Sequence, residues 1–282
     1  FEADALKATP QDLRWQLMRL QLAGLANRFH RTARKAAALA YAAYWWLVLS
    51  LIALVVSPAV ILLPRRAWRH ALIGGATRLW FALTGIRLTV RGDATAIPRH
   101  VVIVANHASF LDGAVLSAAI PGELTFVAKH EFSETFWEGN FLRRLGTIFV
   151  KRVDRSAGLK GADELTEAVK DGERVVVFPE GTLLRRPGLL SFRLGAFAAA
   201  TAASAAVVPV AIRGTRDVLR GEQWFPRRGA IVVEIGAPMT VSGADFEAEV
   251  ALRDAVRSWI LEHSGEPDLA TDTVDLAAMG QL

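Results

Sequence analysis

No charged residue occurs between Ala36 and Pro64, and tryptophan, leucine, valine, isoleucine and alanine dominate the middle of this stretch. A hydrocarbon core of roughly 30 Å is crossed by about 20 apolar residues in a helix, so the stretch is long enough to enter a bilayer deeply. A helix buried in a protein core rarely continues so far without a charge. A cleaved signal peptide is shorter and starts nearer the beginning of a chain. The stretch is therefore predicted to lie in a membrane.

Basic residues flank this stretch on both sides, so the preference of Lys and Arg for the cytoplasmic face selects no orientation for a single span. A hairpin with both ends on one face removes the conflict, and Ser57–Pro58 is the predicted bend because proline interrupts the helix that precedes it. A second apolar helix of interfacial length follows between Leu72 and Leu83. We therefore predict a monotopic two-helix anchor over residues 36–84, with a single span as the alternative. The flanking cations are Arg28, Arg31, Arg34 and Lys35 on one side and Arg65, Arg66 and Arg69 on the other.

The two ends of the chain differ in charge. Residues 1–35 carry apolar side chains at the spacing of one helical face, with arginines mostly off that stripe, which predicts a basic amphipathic helix. Such a helix can lie on an anionic bilayer, or it can pack on the rest of the chain or on a domain upstream of Phe1, since a chain that begins with Phe is expected to be a processed or excised piece. Residues 266–282 are acidic and poor in apolar residues, which predicts a loose tail. The stripe consists of Trp15, Met18, Leu22, Leu25 and Phe29.

Composition narrows the function classes. The 282 residues contain no cysteine, which excludes a thiol nucleophile, a disulfide framework and cysteine–zinc sites. With 52% hydrophobic residues the chain is too apolar for an ordinary soluble protein, and its formal charge of +5 indicates an acidic partner. Anionic lipid and phosphorylated substrate fit that charge, whereas nucleic acid fits poorly because the cations flank a membrane segment and no recognition motif is present. No metal site is predicted.

From position 85 onward, short β-branched runs alternate with helical stretches, and residues 85–265 contain no internal repeat or low-complexity linker. This alternation predicts one α/β domain with a mixed, partly parallel sheet flanked by helices. The predicted strands are Ile86–Arg91, Val101–Ala105, Leu124–Ala128, Thr147–Lys151, Arg174–Phe178, Val207–Ile212 and Ala230–Ile235. The predicted helices are Leu111–Ala119, Leu159–Lys170, Phe192–Ser204 and Phe246–Glu262.

His107 and Asp112 lie where a predicted strand gives way to a helix, directly after Asn106. A histidine and an aspartate at this spacing recur by chance, and on one continuous helix their side chains would point apart. A turn followed by the first helical turn can bring them together, so that the carboxylate fixes the imidazole tautomer and leaves the other ring nitrogen free as a general base. Because ligands collect at the carboxyl ends of strands in α/β folds, the pair is predicted to be catalytic. Ser109 as a covalent relay is the alternative.

Two further strand ends carry cations. The run from Gly146 ends in Lys151 and Arg152, and Lys129 follows another predicted strand. Arginine offers a planar fork suited to phosphate, and lysine adds a point charge. A solvated strand end, or the lysine that often guards an edge strand, is the simpler interpretation of either cation alone. Three cations at neighbouring strand ends favour convergence on one anion.

The run Phe178–Thr182 follows a third β-branched stretch, and its proline, acid and glycine indicate a defined turn. Glu180 is predicted to hold an arginine of the anion site or to accept a hydrogen bond from a substrate hydroxyl. Gly181 would let a ligand approach the backbone closely. Pro209 interrupts a later run, Val207–Val210, which indicates an edge strand or a pocket wall.

Taken together, these blocks resemble the PlsC-type glycerophospholipid acyltransferases, that is, lysophosphatidic acid acyltransferases and their relatives. The blocks occur in the family order after an apolar helix pair, and the resemblance covers roughly residues 40–240. They are His107 to Asp112 with Asn106 before it, Gly146 to Arg152, Phe178 to Thr182, and Val208 to Val210. Relatives often have arginine directly after the third block, whereas Leu183 stands here and the next arginine is Arg185. The acceptor head group therefore stays open.

The resemblance implies transfer of a fatty acyl group from acyl-CoA or acyl-carrier protein, a co-substrate rather than a cofactor, to a glycerol hydroxyl of lysophosphatidic acid or a related lysophospholipid. It implies that His107 deprotonates the hydroxyl for direct attack on the thioester and that Asp112 orients His107. The implied substrate-binding residues are Lys129, Lys151, Arg152, Glu180, Gly181 and Thr182, and the implied pocket residues are Asn106, Gly146, Pro179 and Pro209. The expected location is a bacterial inner membrane, with the catalytic domain on the cytoplasmic face. A catalytically idle lipid-binding module of a larger protein is the rival hypothesis.

Overall fold

The computed structural model describes residues 10–150, 155–184, 186–221, 223–240, 243 and 245–271. After two N-terminal helices, strands and helices alternate along the chain, which confirms the predicted α/β class. The helices are α1 (Pro10–Leu62), α2 (Arg66–Thr84), α3 (Asp112–Ala119), α4 (Phe136–Leu145), α5 (Arg155–Lys170), α6 (Gly195–Ala202), α7 (Thr215–Val218) and α8 (Phe246–Ser264). The strands are β1 (Arg87–Arg91), β2 (Val101–Ala105), β3 (Thr125–Lys129), β4 (Ile148–Val150), β5 (Arg174–Val177), β6 (Leu189–Leu190), β7 (Ala206–Arg213), β8 (Ala230–Ile235) and β9 (Asp268–Leu269).

Seven of these strands form one mixed sheet in the order β1-β8-β7-β2-β5-β3-β4. Neighbouring strands run parallel except β7 and β8, which are antiparallel. The central strand β2 is buried along its whole length. Its side chains alternate between two cores, with Val101, Ile103 and Ala105 on the side of α2 and α3, and Val102 and Val104 on the side of α6 and α8. The carboxyl ends of β2, β3, β4, β5 and β7 consequently meet at one edge of the sheet.

The elements that sequence reasoning missed are short or face outward. Each strand of the seven-stranded sheet was predicted within a few residues of its observed bounds. Helix α4 and the 3-10 helix before it (His130–Glu134) were not predicted, and three of their large apolar residues, Phe132, Phe136 and Trp137, are exposed. The two-residue strands β6 and β9 were also missed.

The prediction of a wholly loose acidic tail is wrong for its first residues. Glu266 accepts hydrogen bonds from the Arg216 guanidinium, and Asp268 forms an ion pair with Arg257. Residues 268–269 form β9, which pairs with β6. The partners lie far away in sequence, so local composition could not reveal them. Residues 272–282, the remainder of the predicted tail, lie outside the described residues.

The first helix, α1, runs without interruption from Pro10 to Leu62, so the bend predicted at Ser57–Pro58 is wrong. Pro58 lies inside the helix, where a proline removes one backbone hydrogen bond and here does not end the helix. The chain turns at residues 63–65 instead. Pro64 accounts for that position, because a residue that precedes proline is disfavoured in the helical conformation.

Helices α1 and α2 pack as a hairpin against one face of the sheet domain. At the open end of the hairpin, the hydroxyl of Tyr41 donates to the Thr84 carbonyl at 2.9 Å. One side of the pair is buried, including Trp45 and Phe81, whereas the opposite side is apolar and exposed. The exposed residues are Leu47, Leu51, Leu54, Val55, Leu62, Trp68, Leu79 and Leu83. The segment Met18–Leu62 is long and apolar enough to cross a membrane, judged by length and composition.

The amphipathic stripe at the start of α1 packs on none of the described residues of the sheet domain. Trp15, Met18, Leu22, Leu25 and Phe29 are all exposed. As far as the structure describes the chain, the alternative in which this stripe packs on the rest of the chain is therefore wrong. A bilayer surface, or a domain upstream of Phe1, stays as the predicted partner of the stripe.

Arg66, at the start of α2, fastens the hairpin to the amino edge of the sheet, and Arg69 closes the turn between the two helices. Arg66 Nη1 forms a 2.7 Å ion pair with Oε1 of Glu173, which immediately precedes β5, and Arg66 Nη2 donates to Thr125 Oγ1 at 2.5 Å. Arg69 Nε donates to the carbonyl of Leu63 at 2.8 Å, and so satisfies a backbone group just beyond the end of α1. The hairpin and the sheet thus share a polar junction at this edge.

Helix α2 also lies directly on α3. A Cβ atom at Gly74 would come within 2.6 Å of the Ser117 carbonyl oxygen, so only glycine permits this approach without displacement. Since α3 begins at Asp112, the hairpin is packed against the helix that carries one of the predicted catalytic residues.

Candidate active site

His107 and Asp112 meet at the carboxyl end of β2. Nδ1 of His107 lies 2.9 Å from Oδ2 of Asp112, which is the first residue of α3 and is completely buried. The same Oδ2 accepts hydrogen bonds from the backbone N–H groups of Ala108 and Ser109, at 2.7 and 2.8 Å. These bonds curl the chain between strand and helix, and so close the gap that a continuous helix would leave. The structure brings this predicted pair together.

The contact with Asp112 determines what His107 can do. Because the carboxylate accepts from Nδ1, the proton of the neutral imidazole resides on Nδ1, and Nε2 carries a lone pair. Among the residues that the structure describes, nothing hydrogen-bonds to Nε2, and the side chain is 24% exposed. Phe178 stacks on the imidazole with ring centroids 4.4 Å apart. A histidine held in this way can accept a proton from a bound hydroxyl.

Ser109, the alternative nucleophile, is engaged elsewhere. Its hydroxyl donates to the Leu219 carbonyl at 2.7 Å and accepts from the backbone N–H of Leu111 at 3.3 Å. The residue is completely buried. These contacts favour a structural role for Ser109, in which it holds the turn between His107 and Asp112 against the chain that follows α7.

Glu180 braces the backbone of His107. Its Oε1 accepts from the backbone N–H of His107 at 2.8 Å, and its Oε2 accepts from the backbone N–H of Leu190 at 3.0 Å. Burial raises the pKa of the Glu180 carboxyl to about 7, although both hydrogen bonds and the charge of His107 act in the lowering direction. The contacts indicate a positioning role, and the arginine partner or substrate hydroxyl predicted for this residue stays a prediction.

Two predicted pocket residues also hold strand ends together. The side-chain amide of Asn106 donates to the Ile212 carbonyl at 2.9 Å, and its oxygen accepts from the Ile212 N–H at 2.7 Å. Asn106 thereby extends the pairing of β2 with β7. Pro179 is buried, and its carbonyl accepts from the backbone N–H of Arg193 at 3.0 Å. These contacts hold the backbone around the site, and the pocket role predicted for each residue stays a prediction.

The structure places Gly146 away from His107, so the pocket role predicted for it is wrong. The pocket-wall role predicted for Pro209, which pairs with Val104 on the neighbouring strand, stays a prediction. Gly146 ends α4 at the amino end of β4, on the opposite edge of the sheet, with a φ of 80°. Pro209 lies inside β7, an interior strand, so the edge-strand prediction is also wrong. Its carbonyl accepts from Gly236, and its ring packs there on the α8 side of the sheet. Proline has no backbone N–H, and at this position an N–H would face β8. The regular pairing of β7 with β8 begins only at Val210, so the proline removes no hydrogen bond from it.

Of the three predicted cations of the anion site, the structure describes only Lys129. Lys129 ends β3 at the carboxyl edge of the sheet, half-exposed, with its Nζ 3.3 Å from Oε1 of Glu131. Strand β4 ends at Val150 on the same edge. Lys151 and Arg152, which follow it, lie outside the described residues, and their predicted phosphate contact stays a prediction. Thr182 is half-buried and follows the Glu180 turn.

One cation beside this turn had no sequence signal. The Arg193 guanidinium lies over Gly181, so that a Cβ at Gly181 would come within 2.6 Å of Arg193 Nε. Gly181 has a φ of +71°, and its N–H donates to the Phe178 carbonyl at 3.1 Å. Arg193 is exposed, and within the described parts of the chain no carboxylate pairs with it. Arg193 lies eleven residues after the Phe178–Thr182 block and belongs to no motif. Only the fold brings it beside Gly181, so the sequence could not predict this position.

Residues 87–213 match the family model described as Acyltransferase. This region begins at β1 and ends with β7, so it includes the His107–Asp112 pair, the Glu180 turn and Arg193. The match therefore covers the same residues that the geometry brings together.

Several curated proteins are similar over part of this chain. Lysophosphatidylcholine acyltransferase 2 of Rattus norvegicus is 31% identical over 52% of the chain and 28% of its own length. 1-Acyl-sn-glycerol-3-phosphate acyltransferase alpha of Mus musculus is 30% identical over 64% of each protein. Lyso-ornithine lipid O-acyltransferase of Rhodobacter capsulatus is 34% identical over 48% of the chain and 47% of its own length. The chain thus spans between about a quarter and two thirds of the length of these relatives.

A solved structure shares the fold. The 1-acyl-sn-glycerophosphate acyltransferase PlsC from Thermotoga maritima aligns with a TM-score of 0.66, over 81% of this chain and 97% of that one. The sequence identity is 23%, so this likeness supports the fold alone.

Proposed function

We propose that this chain, whose residues 87–213 match the family model described as Acyltransferase, transfers a fatty acyl group from a thioester to the free hydroxyl of a lysophospholipid. The observation that carries the proposal is the buried Asp112 carboxylate on Nδ1 of His107, which leaves Nε2 available beside an otherwise committed serine. A general base placed in this way suits an acceptor that brings its own nucleophile. No resident cofactor is needed for this step.

The proposed reaction is a direct attack. Nε2 of His107 takes the proton of the acceptor hydroxyl as the oxygen adds to the thioester carbonyl. The carbon–sulfur bond then breaks, and the imidazolium returns the proton to the departing thiolate. Asp112 stabilises the imidazolium that forms in between. The donor is proposed to be acyl-CoA or acyl-carrier protein, as the family resemblance implies.

The acceptor is proposed to carry an anionic group next to its hydroxyl. The names of the similar proteins span three head-group classes, and Leu183 stands where relatives often have arginine. We propose that Arg193, over Gly181, supplies a cation on this side, together with Lys129 at the neighbouring strand end. Lysophosphatidic acid and related lysophospholipids fit this arrangement, and a lyso-aminolipid is the alternative. Arg193→Gln should then raise KM for a phosphate-bearing acceptor more than it lowers kcat.

The helix hairpin is proposed to hold the enzyme in one leaflet of a membrane. One side of α1 and α2 is covered by the sheet domain, so a bilayer can contact only the other, apolar side. This arrangement favours a monotopic anchor over a single span. Basic residues on both sides of the apolar stretch suit a cytoplasmic face. The proposed location is the cytoplasmic face of a bacterial inner membrane.

A transfer assay tests the catalytic proposal. Purified protein, acyl-CoA or acyl-carrier protein and a set of lysolipids should release free thiol, and His107→Ala should lower the rate by about 10³-fold or more. Ser109→Ala serves as the matched control in the same turn, and should give no loss of that size in the folded fraction. Full activity of His107→Ala would reject the mechanism. No turnover with any donor, together with lipid binding that is unchanged in His107→Ala, would favour the idle lipid-binding module.

A further inference from the structure

A short loop between α7 and β8, residues 223–228, presents two large aromatic side chains to the outside. Trp224 is 72% exposed and Phe225 is 56% exposed. The loop is nonetheless held at its end, because the backbone N–H of Arg227 donates to the Val218 carbonyl at 2.8 Å and Pro226 is buried. Two rings fixed in water in this way are unfavourable, whereas the polar–apolar boundary of a bilayer suits aromatic side chains.

This aromatic loop is docked on the anchor. Trp46 of α1 donates from Nε1 to the Trp224 carbonyl at 2.9 Å, and the two indole rings lie 5.2 Å apart. The Arg228 guanidinium lies 5.2 Å above the ring of Tyr41, also on α1. The loop is therefore continuous with the apolar side of the hairpin, although 178 residues separate Trp46 from Trp224.

The chain that leads into the loop touches the active site. The Leu219 carbonyl accepts the hydroxyl of Ser109, in the turn between His107 and Asp112. A Cβ at Gly221 would lie 3.5 Å from the side chain of Leu183, which follows the Glu180 turn. The same short stretch thus contacts both halves of the candidate site before it reaches the anchor.

The charge of the loop selects its partner. Arg227 and Arg228 are exposed at its end, and in the described residues no carboxylate pairs with either. Arginine binds lipid phosphate through its planar fork, and an anionic leaflet attracts such residues. Exposed aromatic rings beside arginines therefore match the headgroup region of an anionic bilayer.

We propose that the aromatic loop, residues 223–228, is a second membrane-contacting element, which inserts Trp224 and Phe225 into the headgroup region of an anionic bilayer and forms the lipid-side rim of the active site. The inference rests on the proposed membrane-bound function. It adds to the anchor a contact that links the bilayer surface to the catalytic turn, so an acceptor can pass from the leaflet to His107 along protein.

Depth labelling tests the insertion. The chain contains no cysteine, so Phe225→Cys provides a single site for an environment-sensitive fluorophore on the full chain. On vesicles of phosphatidylcholine with phosphatidylglycerol, this label should be quenched by nitroxide-bearing lipids. Phe246→Cys is the matched control, since Phe246 is 67% exposed at the start of α8, on the other side of the sheet, and its label should be quenched only by water-soluble agents. Equal behaviour of the two labels would overturn the proposal.

Charge substitution tests the choice of lipid. Arg227→Gln combined with Arg228→Gln should reduce the preference for anionic over zwitterionic vesicles, by about fivefold for each arginine. Arg253→Gln on α8 should leave the preference unchanged, and an unchanged preference in the double variant would count against the arginines as lipid ligands. Neither measurement requires turnover. A failed transfer assay with an inserted loop would therefore reject the proposed reaction alone, and an active enzyme with a solvent-exposed loop would reject only the rim.

Discussion

Two glutamates lie at opposite edges of the same sheet, and their surroundings shift their pKa values in opposite directions. Glu180, at the carboxyl edge, is buried against backbone N–H groups, and its pKa is raised to about 7. At the amino edge, burial also acts to raise the pKa of Glu173, but hydrogen bonds from Arg66 and Thr125 outweigh it and the net shift is downward. The amino edge is thus built as a matched ion pair that joins the anchor to the sheet. At the carboxyl edge, among the described residues, no Lys or Arg pairs with the Glu180 carboxyl beside His107. Carboxyls with pKa values perturbed in this way are characteristic of functional sites.

The comparison is tested most strongly at Asp112. Asp112→Asn should lower turnover by about 10³-fold, because an amide does not stabilise imidazolium and can select the wrong tautomer of His107. Arg66→Met at the amino edge should leave turnover per folded molecule within a few-fold of wild type. Thiol release measured beside circular dichroism separates the two outcomes, and comparable losses in both variants would remove the functional distinction between the edges.

The next effect is the pH dependence that Glu180 gives to stability. Its pKa is raised in the folded state, so the folded protein binds more protons than the unfolded chain between the ordinary value of 4.5 and about 7. The stabilising contribution is therefore complete below 4.5 and is lost as pH rises through 7, by about 3 kcal/mol in total. Glu180→Gln should remove this slope from denaturant melts between pH 5 and 8. A variant with the wild-type slope would show that Glu180 does not titrate in this range.

The smallest expected effect is at the amino edge. Arg66→Met should cost about 2 kcal/mol of unfolding free energy at pH 7, because it leaves the Glu173 carboxylate partly buried without its cation. The pKa of Glu173 is lowered in the folded state, so the contribution of this pair is present above the ordinary glutamate pKa and fades as pH falls through the folded value. This slope is opposite in sign to that of Glu180. Arg66→Met with Glu173→Leu should recover part of the loss, and an equal or larger loss in the double variant would contradict the ion-pair explanation.

The sequence separation of two contacting residues decided whether their contact could be predicted. His107 and Asp112 are five residues apart, so one strand-to-helix turn suffices to place them together. Glu180 lies 73 residues from His107, and Arg66 lies 107 residues from Glu173. The sequence showed that Glu180 belongs to a motif and that Arg66 belongs to a basic cluster. It could not show which residue each of them contacts, because those contacts depend on strand order.

Strand order also explains the wrong predictions inside the sheet. Taken alone, Pro209 predicts an edge strand, yet β7 lies between β8 and β2. The regular pairing of β7 with β8 begins only at Val210, so the missing N–H of Pro209 removes no hydrogen bond from that pairing. The turn between α1 and α2 was misplaced for a more local reason, since Pro58 and Pro64 compete for it and packing of α1 against the sheet domain extends as far as Val60. By contrast, the alternation of the central strand between two cores was visible as a β-branched run.

The absence of a side chain at Gly74 sets the distance between α2 of the hairpin and α3. With α2 resting on the backbone of Ser117, the hairpin cannot tilt or rise without carrying α3, and hence Asp112, along with it. If the proposed function holds, the thickness of the packed helices, rather than a flexible tether, sets the height of His107 above the leaflet. A lysolipid whose hydroxyl lies deeper or shallower than this height would be held out of reach, so the architecture measures the position of the hydroxyl along the membrane normal as well as its chemistry.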